Sequence, residues 1–346
     1  MAQTLGFLCP EIAAGFLMAS HSLSRNLPSG ASPFAVQSEK LSQEKFANPR
    51  FTADGSARAQ VALRKLETLW FATGTLCNLA CINCYIESSP TNDALVYLAA
   101  EEVARFLDEI GGTGVREIGF TGGEPFMNPA IIAMLEDALS RGHEVLVLTN
   151  AMKPMRRHEA ALLRLRDAYG DKLTLRISID HHTRQVHEAE RGPGSWPPML
   201  DGLRWLSTNG FSIAAAGRSM AGETEGAERT AYATLFSASG IHIDAADPLQ
   251  MVLFPEMDGC ADVPEITEAC WDILDTSPDR QMCASSRMVV HRKGEPAPRV
   301  VACTLLPYDP AFDLGGNLAD ATQTVALNHP HCARFCVLGG ASCSAG

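Results

Sequence analysis

Three cysteines fall within the stretch Thr75–Pro90, TLCNLACINCYIESSP: Cys77, Cys81 and Cys84, spaced Cys-x3-Cys-x2-Cys. Closed zinc and iron–sulfur sites normally take four protein ligands. No fourth cysteine follows Cys84 locally, so a metal group held here keeps one coordination position for something that is not protein. Zinc knuckles favour paired Cys-x2-Cys hairpins, and the compact ferredoxin run carries its fourth cysteine nearby. The spacing therefore points to a [4Fe–4S] cluster with one iron open to a chelating cosubstrate. The alternative is a structural zinc site completed from a distance.

The second candidate is TGGEP, Thr121–Pro125. By itself it is ordinary turn material. Beside the cysteines it gains a role, because Gly122 and Gly123 let backbone carbonyls approach a ligand ammonium and Glu124 offers the complementary charge. An open iron with an ammonium-binding rim suits an amino acid that chelates through amine and carboxylate.

Eleven cysteines with no export signal argue against a disulfide framework and for metal binding. Cys9 stands alone and reads as an incidental or buried thiol. Cys260, Cys270, Cys283, Cys303, Cys332, Cys336 and Cys343 form a second field, separated from Cys84 by a cysteine-free body. Cys283 and Cys303 bracket ASSRMVVHRKGEPAPRVVA, a β-hairpin turning at RKGEPAP, whose base brings the two thiols together as half of a metal site. CARFCVLGGASC adds Cys332, Cys336 and Cys343. Zinc would suit such a set as well as a cluster does. Seven cysteines are one short of two fully ligated clusters, so a single cluster with spare thiols is expected.

The elements that must position these residues are a series of apolar, β-rich runs at 68–73, 115–120, 144–148, 173–179, 211–216 and 248–254, with helical patterns between them. Alternation of this kind predicts βαβ units and a parallel sheet, open or curved into a partial barrel. Ligands then bind at the carboxyl ends of the strands. The residues found there are the cysteine loop, TGGEP, the Thr149–Ala151 turn with Asn150, Ser178 with Asp180, Arg191, and Gly217 with Arg218. Asp180 reads as a possible cap for the next helix, and His181, His182 and His187 lie on the same rim with no role assigned.

The net charge is −12, so nucleic acid is not the expected partner, since phosphate binding needs clustered Lys and Arg. The apolar N-terminus has no Lys or Arg before Arg25 and is interrupted at Pro10 and Glu11, and no stretch approaches a membrane span. A soluble, cytoplasmic protein without membrane contact is expected.

Cys77, Cys81 and Cys84 followed by Gly122, Gly123, Glu124 and Pro125 on successive βα units resemble the radical S-adenosylmethionine (radical SAM) superfamily, over about residues 66–256. The position before Cys84, usually aromatic in that family, is Asn83. The resemblance implies an α/β fold, a partial (βα)6 barrel, with SAM bound to the open iron. Reductive cleavage of SAM would yield methionine and a 5′-deoxyadenosyl radical that abstracts a substrate hydrogen. It further implies that Gly122, Gly123 and Glu124 hold the SAM ammonium and that the backbone around Tyr85 meets the adenine. Ser178, Arg191 and Asn150 would contact the ribose or carboxylate, and a flavodoxin- or ferredoxin-type partner would deliver the electron.

The C-terminal field resembles the twitch and SPASM extensions of that superfamily, which hold auxiliary [4Fe–4S] clusters. By that resemblance Cys283, Cys303 and Cys332, with Cys336 or Cys343, ligate a second cluster. The later spacing, x3 then x6, departs from the family's usual x2 then x5. The expected organisation is an irregular extension at 1–64, the radical SAM unit at 65–256 and a small iron–sulfur domain at 257–346. The substrate is expected to be a small molecule or a peptide. A non-catalytic iron–sulfur carrier or scaffold is the alternative, and it would need the cysteines but not the glycine-rich rim.

Overall fold

The structure, a computed structural model, describes residues 32–34, 39–255 and 257–342; Cys9 and Cys343 lie outside the described residues. Six parallel strands follow one another in the sheet: β2 (Thr68–Ala72), β3 (Glu117–Thr121), β4 (Glu144–Thr149), β5 (Leu173–Asp180), β6 (Ser212–Arg218) and β7 (Met251–Phe254). They lie where the apolar runs predict them, within a few residues. Every residue of β2 and β3 is buried, as a strand covered on both faces requires. The packing is close enough to dictate residue type: a Cβ at Gly119 on β3 would sit 2.3 Å from the Trp70 ring on β2.

Five helices return the chain between these strands: Ala100–Glu109, Ile131–Ser140, Glu159–Tyr169, Trp196–Thr208 and Glu225–Ser239. All five match helical patterns in the sequence. A sixth, Arg184–Arg191, was not expected, because RQVHEAER buries only His187 and Glu190 and shows no apolar stripe. No helix among the described residues is long and apolar enough to cross a membrane.

The predicted hairpin is present as β8 (Ser286–Val290) and β9 (Arg299–Val301), with β10 (Asp313–Gly315) beyond it. It does not stand apart. β8 pairs in parallel with β2, Thr68 opposite Ser286 and Phe71 opposite Val289, so the sheet runs β10-β9-β8-β2-β3-β4-β5-β6-β7. All five β8 residues are buried, and pairing with β2 satisfies backbone that solvent cannot reach.

Residues 39–64 carry little regular structure and are integrated into the C-terminal region. Short β1 (Gln60–Val61) pairs with β11 (Val325–Ala326), and the Ala59 N–H donates to the Ile266 carbonyl. Arg58 is 1% exposed. Its guanidinium donates to Glu265 (2.5 Å) and to the carbonyls of Asn48 (2.6 Å), Phe51 (3.0 Å) and Leu327 (3.1 Å). Glu265 in turn accepts the backbone N–H groups of Phe46 and Ala53.

One side chain therefore ties three segments together. Removing it strands a buried carboxylate, which costs about 3–5 kcal/mol. Arg58→Ala should lower the denaturation midpoint accordingly, and Arg58→Lys should rescue little, because one ammonium cannot reproduce the planar fork. A loss well under about 1 kcal/mol in Arg58→Ala, as for an exposed pair, would show the tie to be dispensable.

Candidate functional site

The cysteine loop leaves β2 and is docked backbone to backbone against the loop after β3. The Gly123 N–H donates to the Gly74 carbonyl (2.7 Å) and the Glu124 N–H to the Leu76 carbonyl (3.1 Å). A Cβ at Gly123 would lie 2.3 Å from the Leu76 oxygen. At Gly122, whose φ is +145°, a Cβ would lie 2.6 Å from the Gly74 oxygen. The glycines were expected to make room for a ligand; the structure adds that they make room for the cysteine loop itself.

Within that loop the Leu79 N–H donates to Cys77 Sγ (3.4 Å) and the Ser88 N–H to Cys84 Sγ (3.3 Å). Burial pushes the Cys77 thiol well above its usual value, with the Glu124 charge adding to the shift. Burial also raises Cys81, against the pull of Arg191, to about 12. Thiols so buried become thiolates only when a metal group supplies the charge. The N–H···S donors and the nearby arginines are surroundings that a metal group on these thiolates would use.

Glu124 is fully buried and braces the next loop. Its carboxylate accepts from Thr149 Oγ1 (2.8 Å), the Asn150 N–H (2.9 Å) and the Phe126 N–H (3.2 Å). Burial raises its pKa to about 7, against the pull of those hydrogen bonds. Asn150 closes the circuit: its Nδ2 donates to Asn78 Oδ1 (2.9 Å) in the cysteine loop and lies 4.0 Å from Cys77 Sγ. Tyr85 Oη lies 3.2 Å from Thr121 Oγ1.

Arg191 and Asp180 form a two-pronged pair at 2.7 and 3.2 Å. Burial opposes ionisation of Asp180, but Arg191 and Arg218 outweigh it and hold the carboxyl at about 2. Asp180 is thus a countercharge, not the helix cap it resembled; Thr183 takes the cap position. Arg218 reaches Asp180 (3.4 Å), Glu190 (3.3 Å) and the Asn83 carbonyl (3.1 Å). The Asn83 N–H donates to Glu190 (2.9 Å), so the position before Cys84 is anchored through its backbone.

These residues border one cleft of about 1010 Å³, counting the open space at its mouth. It brings together Cys77, Cys81, Cys84, Tyr85, Gly122, Gly123, Asn150, Ser178 and Arg191, with Glu124 directly behind the lining. Sequence reading missed Arg176, although it shares the cleft-facing side of β5 with Ser178 and Asp180 at the strand's period of two. It also missed Leu305 and Phe335, which line the cleft from the C-terminal region.

Those two lie beside the second cysteine field. Cys303 Sγ accepts from the Leu305 N–H (3.2 Å), the same two-residue arrangement as Cys77 with Leu79. Phe335 sits between Cys332 and Cys336 in a single π-helical turn, Cys332–Val337. Cys332 is buried, and after burial itself the nearness of Cys303 and Cys283 raises its thiol furthest. Cys283 is pushed up to about 11 by burial, partly offset by Arg287. Cys283 and Cys332, both buried, and the half-buried Cys303 thus lie near one another. Cys260 is disulfide-bonded, and Cys270 Sγ accepts from the Thr267 N–H (3.3 Å).

Comparison with known proteins places this geometry. Residues 72–231 match the family model of the radical SAM superfamily. The chain is 33% identical over 141 residues to the antilisterial bacteriocin subtilosin biosynthesis protein AlbA of Bacillus subtilis, covering 40% of this chain and 30% of that protein. It is 29% identical over 138 residues to the mycofactocin maturase MftC of Mycobacterium ulcerans, covering 40% and 36%. The matched stretch thus spans about a third of each relative's length. Among solved structures, anSMEcpe with bound AdoMet matches at a TM-score of 0.53 and 12% identity, over 74% of this chain and 80% of that one. Streptococcus suis SuiB bound to its precursor peptide SuiA matches at 0.52 and 12%, over 70% and 61%. At these identities the structural likeness establishes the α/β fold with its mostly parallel sheet.

Gly123→Ala tests the docking of the two loops. The added methyl collides with backbone, so the cysteine loop must shift, and iron bound at the first site should fall to a small fraction of that in the unmutated protein. Retention of full iron content, measured after anaerobic reconstitution, would show that the glycine serves only the ligand.

Proposed function

We propose that this chain, whose residues 72–231 belong to the radical SAM superfamily, is an enzyme that modifies a peptide or small molecule. In this reading it works between a [4Fe–4S] cluster on Cys77, Cys81 and Cys84 and an auxiliary cluster in its C-terminal region. One observation carries the reading: a single cleft is bordered by the three loop cysteines and by Leu305 and Phe335, neighbours of Cys303 and of Cys332 and Cys336. A substrate in that cleft lies within reach of both cysteine fields. A simple carrier would have no use for a cleft that both fields border.

The first cluster, once loaded, would supply the electron for reductive cleavage of SAM and hence the means to remove a substrate hydrogen. The chain's own residues do the rest. The carbonyls of Gly122 and Gly123 and the Glu124 carboxylate receive the SAM ammonium, and the backbone at Tyr85 borders its adenine. Ser178, Asn150 and Arg191 face its ribose and carboxylate. Asp180 and Glu190 balance Arg191 and Arg218, so the site keeps its arginines oriented without a large excess of positive charge. Around Cys283, Cys303 and Cys332, with Cys336 or Cys343 as fourth ligand, the auxiliary cluster would accept an electron from the substrate or bind it. Residues 257–346 would form this unit, 65–256 the radical SAM unit and 1–64 the extension that straps onto it. The reading sets the enzyme in the cytoplasm, with a flavodoxin- or ferredoxin-type protein as electron donor.

Three outcomes test the reading. Reduced, reconstituted protein should form 5′-deoxyadenosine from SAM, and replacing Cys77, Cys81 and Cys84 by Ala should abolish it; persistence in the triple variant refutes the assignment. Iron should number about eight per chain, four per cluster. It should fall to about four in Cys283→Ala with Cys303→Ala, with SAM cleavage retained, whereas four irons and one zinc in the unmutated protein would make the C-terminal site structural.

The third outcome follows from Glu124. With its pKa raised from 4.5 to about 7, the folded protein holds this proton more tightly than the unfolded chain. The group therefore costs stability as pH rises from 4.5 towards 7 while becoming the better partner for an ammonium. SAM affinity should rise through pH 7, and Glu124→Gln should flatten that rise and weaken binding by about 1.5–3 kcal/mol at pH 8. An unchanged pH profile in the variant would remove Glu124 from the binding site.

A further inference from the structure

The three histidines left without a role on the rim do not behave alike. His187 is buried with Nδ1 on the Ile179 carbonyl and packs edge-on against Trp196. His181 and His182, directly after β5, stack at 4.0 Å between ring centroids. They present buried nitrogens, His181 Nε2 and His182 Nδ1, that no hydrogen bond satisfies. From the loop after β6, Glu223 brings Oε1 to 3.8 Å from His181 Nε2. That is too long for a hydrogen bond. One ligand atom from each of the three residues lies within 4.8 Å of the others.

We propose that His181, His182 and Glu223 bind one divalent transition-metal ion of the zinc class, separate from both cysteine fields. The two orphaned nitrogens would otherwise remain buried without a partner, a cost that metal ligation removes. Zn–N and Zn–O bonds of about 2.0–2.1 Å place tetrahedral ligands about 3.3 Å apart, so the 3.8 Å pair closes by about half an ångström and the pairs with His182, within 4.8 Å, by up to about 1.5 Å. The surroundings hold the ligands in place. His181 Nδ1 lies 2.9 Å from Thr183 Oγ1 and accepts the Thr183 N–H (3.0 Å); ligation at Nε2 moves the ring proton to Nδ1, where the hydroxyl accepts it and the Thr183 N–H must turn aside. Phe34 packs beside His181, and Tyr232 meets the His182 ring edge-on. The Glu223 N–H is anchored on the Met220 carbonyl (3.1 Å).

Two imidazoles and a carboxylate form a borderline N/O set that suits zinc, cobalt, nickel or iron(II) over magnesium or calcium. Three protein donors leave a fourth position for water or for a carboxylate or thiolate of a substrate. The site sits at the carboxyl ends of β5 and β6, on the rim that Asp180 shares with the cleft.

The test uses the full chain with its iron sites filled by anaerobic reconstitution, so that the cysteines are occupied. Dialysis against micromolar Zn2+ with metal analysis should find one zinc per chain beyond the iron. Glu223→Gln should bind it roughly tenfold or more weakly, and His181→Gln with His182→Gln should lose it, with iron content unchanged in both. Glu223 is exposed, so its loss of zinc cannot be blamed on misfolding. Absence of extra zinc in the unmutated protein overturns the proposal. So does zinc retained at full affinity in these variants, including zinc that disappears only with Cys283→Ala and Cys303→Ala.

Discussion

Two backbone hydrogen bonds, Gly123 to Gly74 and Glu124 to Leu76, set the position of everything else in the cleft. They fix the loop that carries Cys77, Cys81 and Cys84 against the loop after β3. Such contact is open only to residues without a Cβ at the point of approach. Glu124 then extends the brace to the loop after β4 through Thr149 and Asn150, and Asn150 returns it to Asn78. Three consecutive βα loops become one rigid rim, without a disulfide among them.

Rigid loops alone would not make the cleft tolerate charge. Its wall carries Asp180, Glu190, Arg191 and Arg218 in one buried set that also reaches the backbone on either side of Asn83. Burying four ions is unfavourable unless each is paired and hydrogen-bonded, and here each is. The arrangement matters for the thiols next to it, since Arg191 and Arg218 both act on Cys81 to favour its ionised form. The same arginines that orient a ligand therefore ease the loading of a metal group.

How far this could be read from the sequence depended on distance along the chain. The six parallel strands, five of the helices and the rim residues after each strand were legible, because apolar runs and their end signals are local. The hairpin bearing Cys283 and Cys303 was legible for the same reason. Its addition to β2 was not, since nothing near Ser286 announces a partner at Thr68. Arg58 likewise gave no sign of its role: a lone arginine in an irregular stretch reads as solvated, yet it is among the most buried side chains. The helix Arg184–Arg191 was invisible because its buried face is polar, His187 and Glu190, where the usual signal is an apolar stripe. Asp180 could be seen, but its partner Arg191 lies across that unseen helix.

The pairing of β8 with β2 bears on how the chain acquires its fold. β2 is synthesised long before β8, its neighbour on one side. Until then β2 offers a bare, largely apolar edge, the kind of surface that recruits strands from other molecules. Closing so long a loop is also slow, because the entropy is lost before the contact is gained. The nascent chain thus passes through a window in which its first cysteine loop is already formed on one side and unprotected on the other. Chaperone dependence and poor recovery of C-terminally shortened chains are the natural consequence of building both cysteine fields on a single sheet.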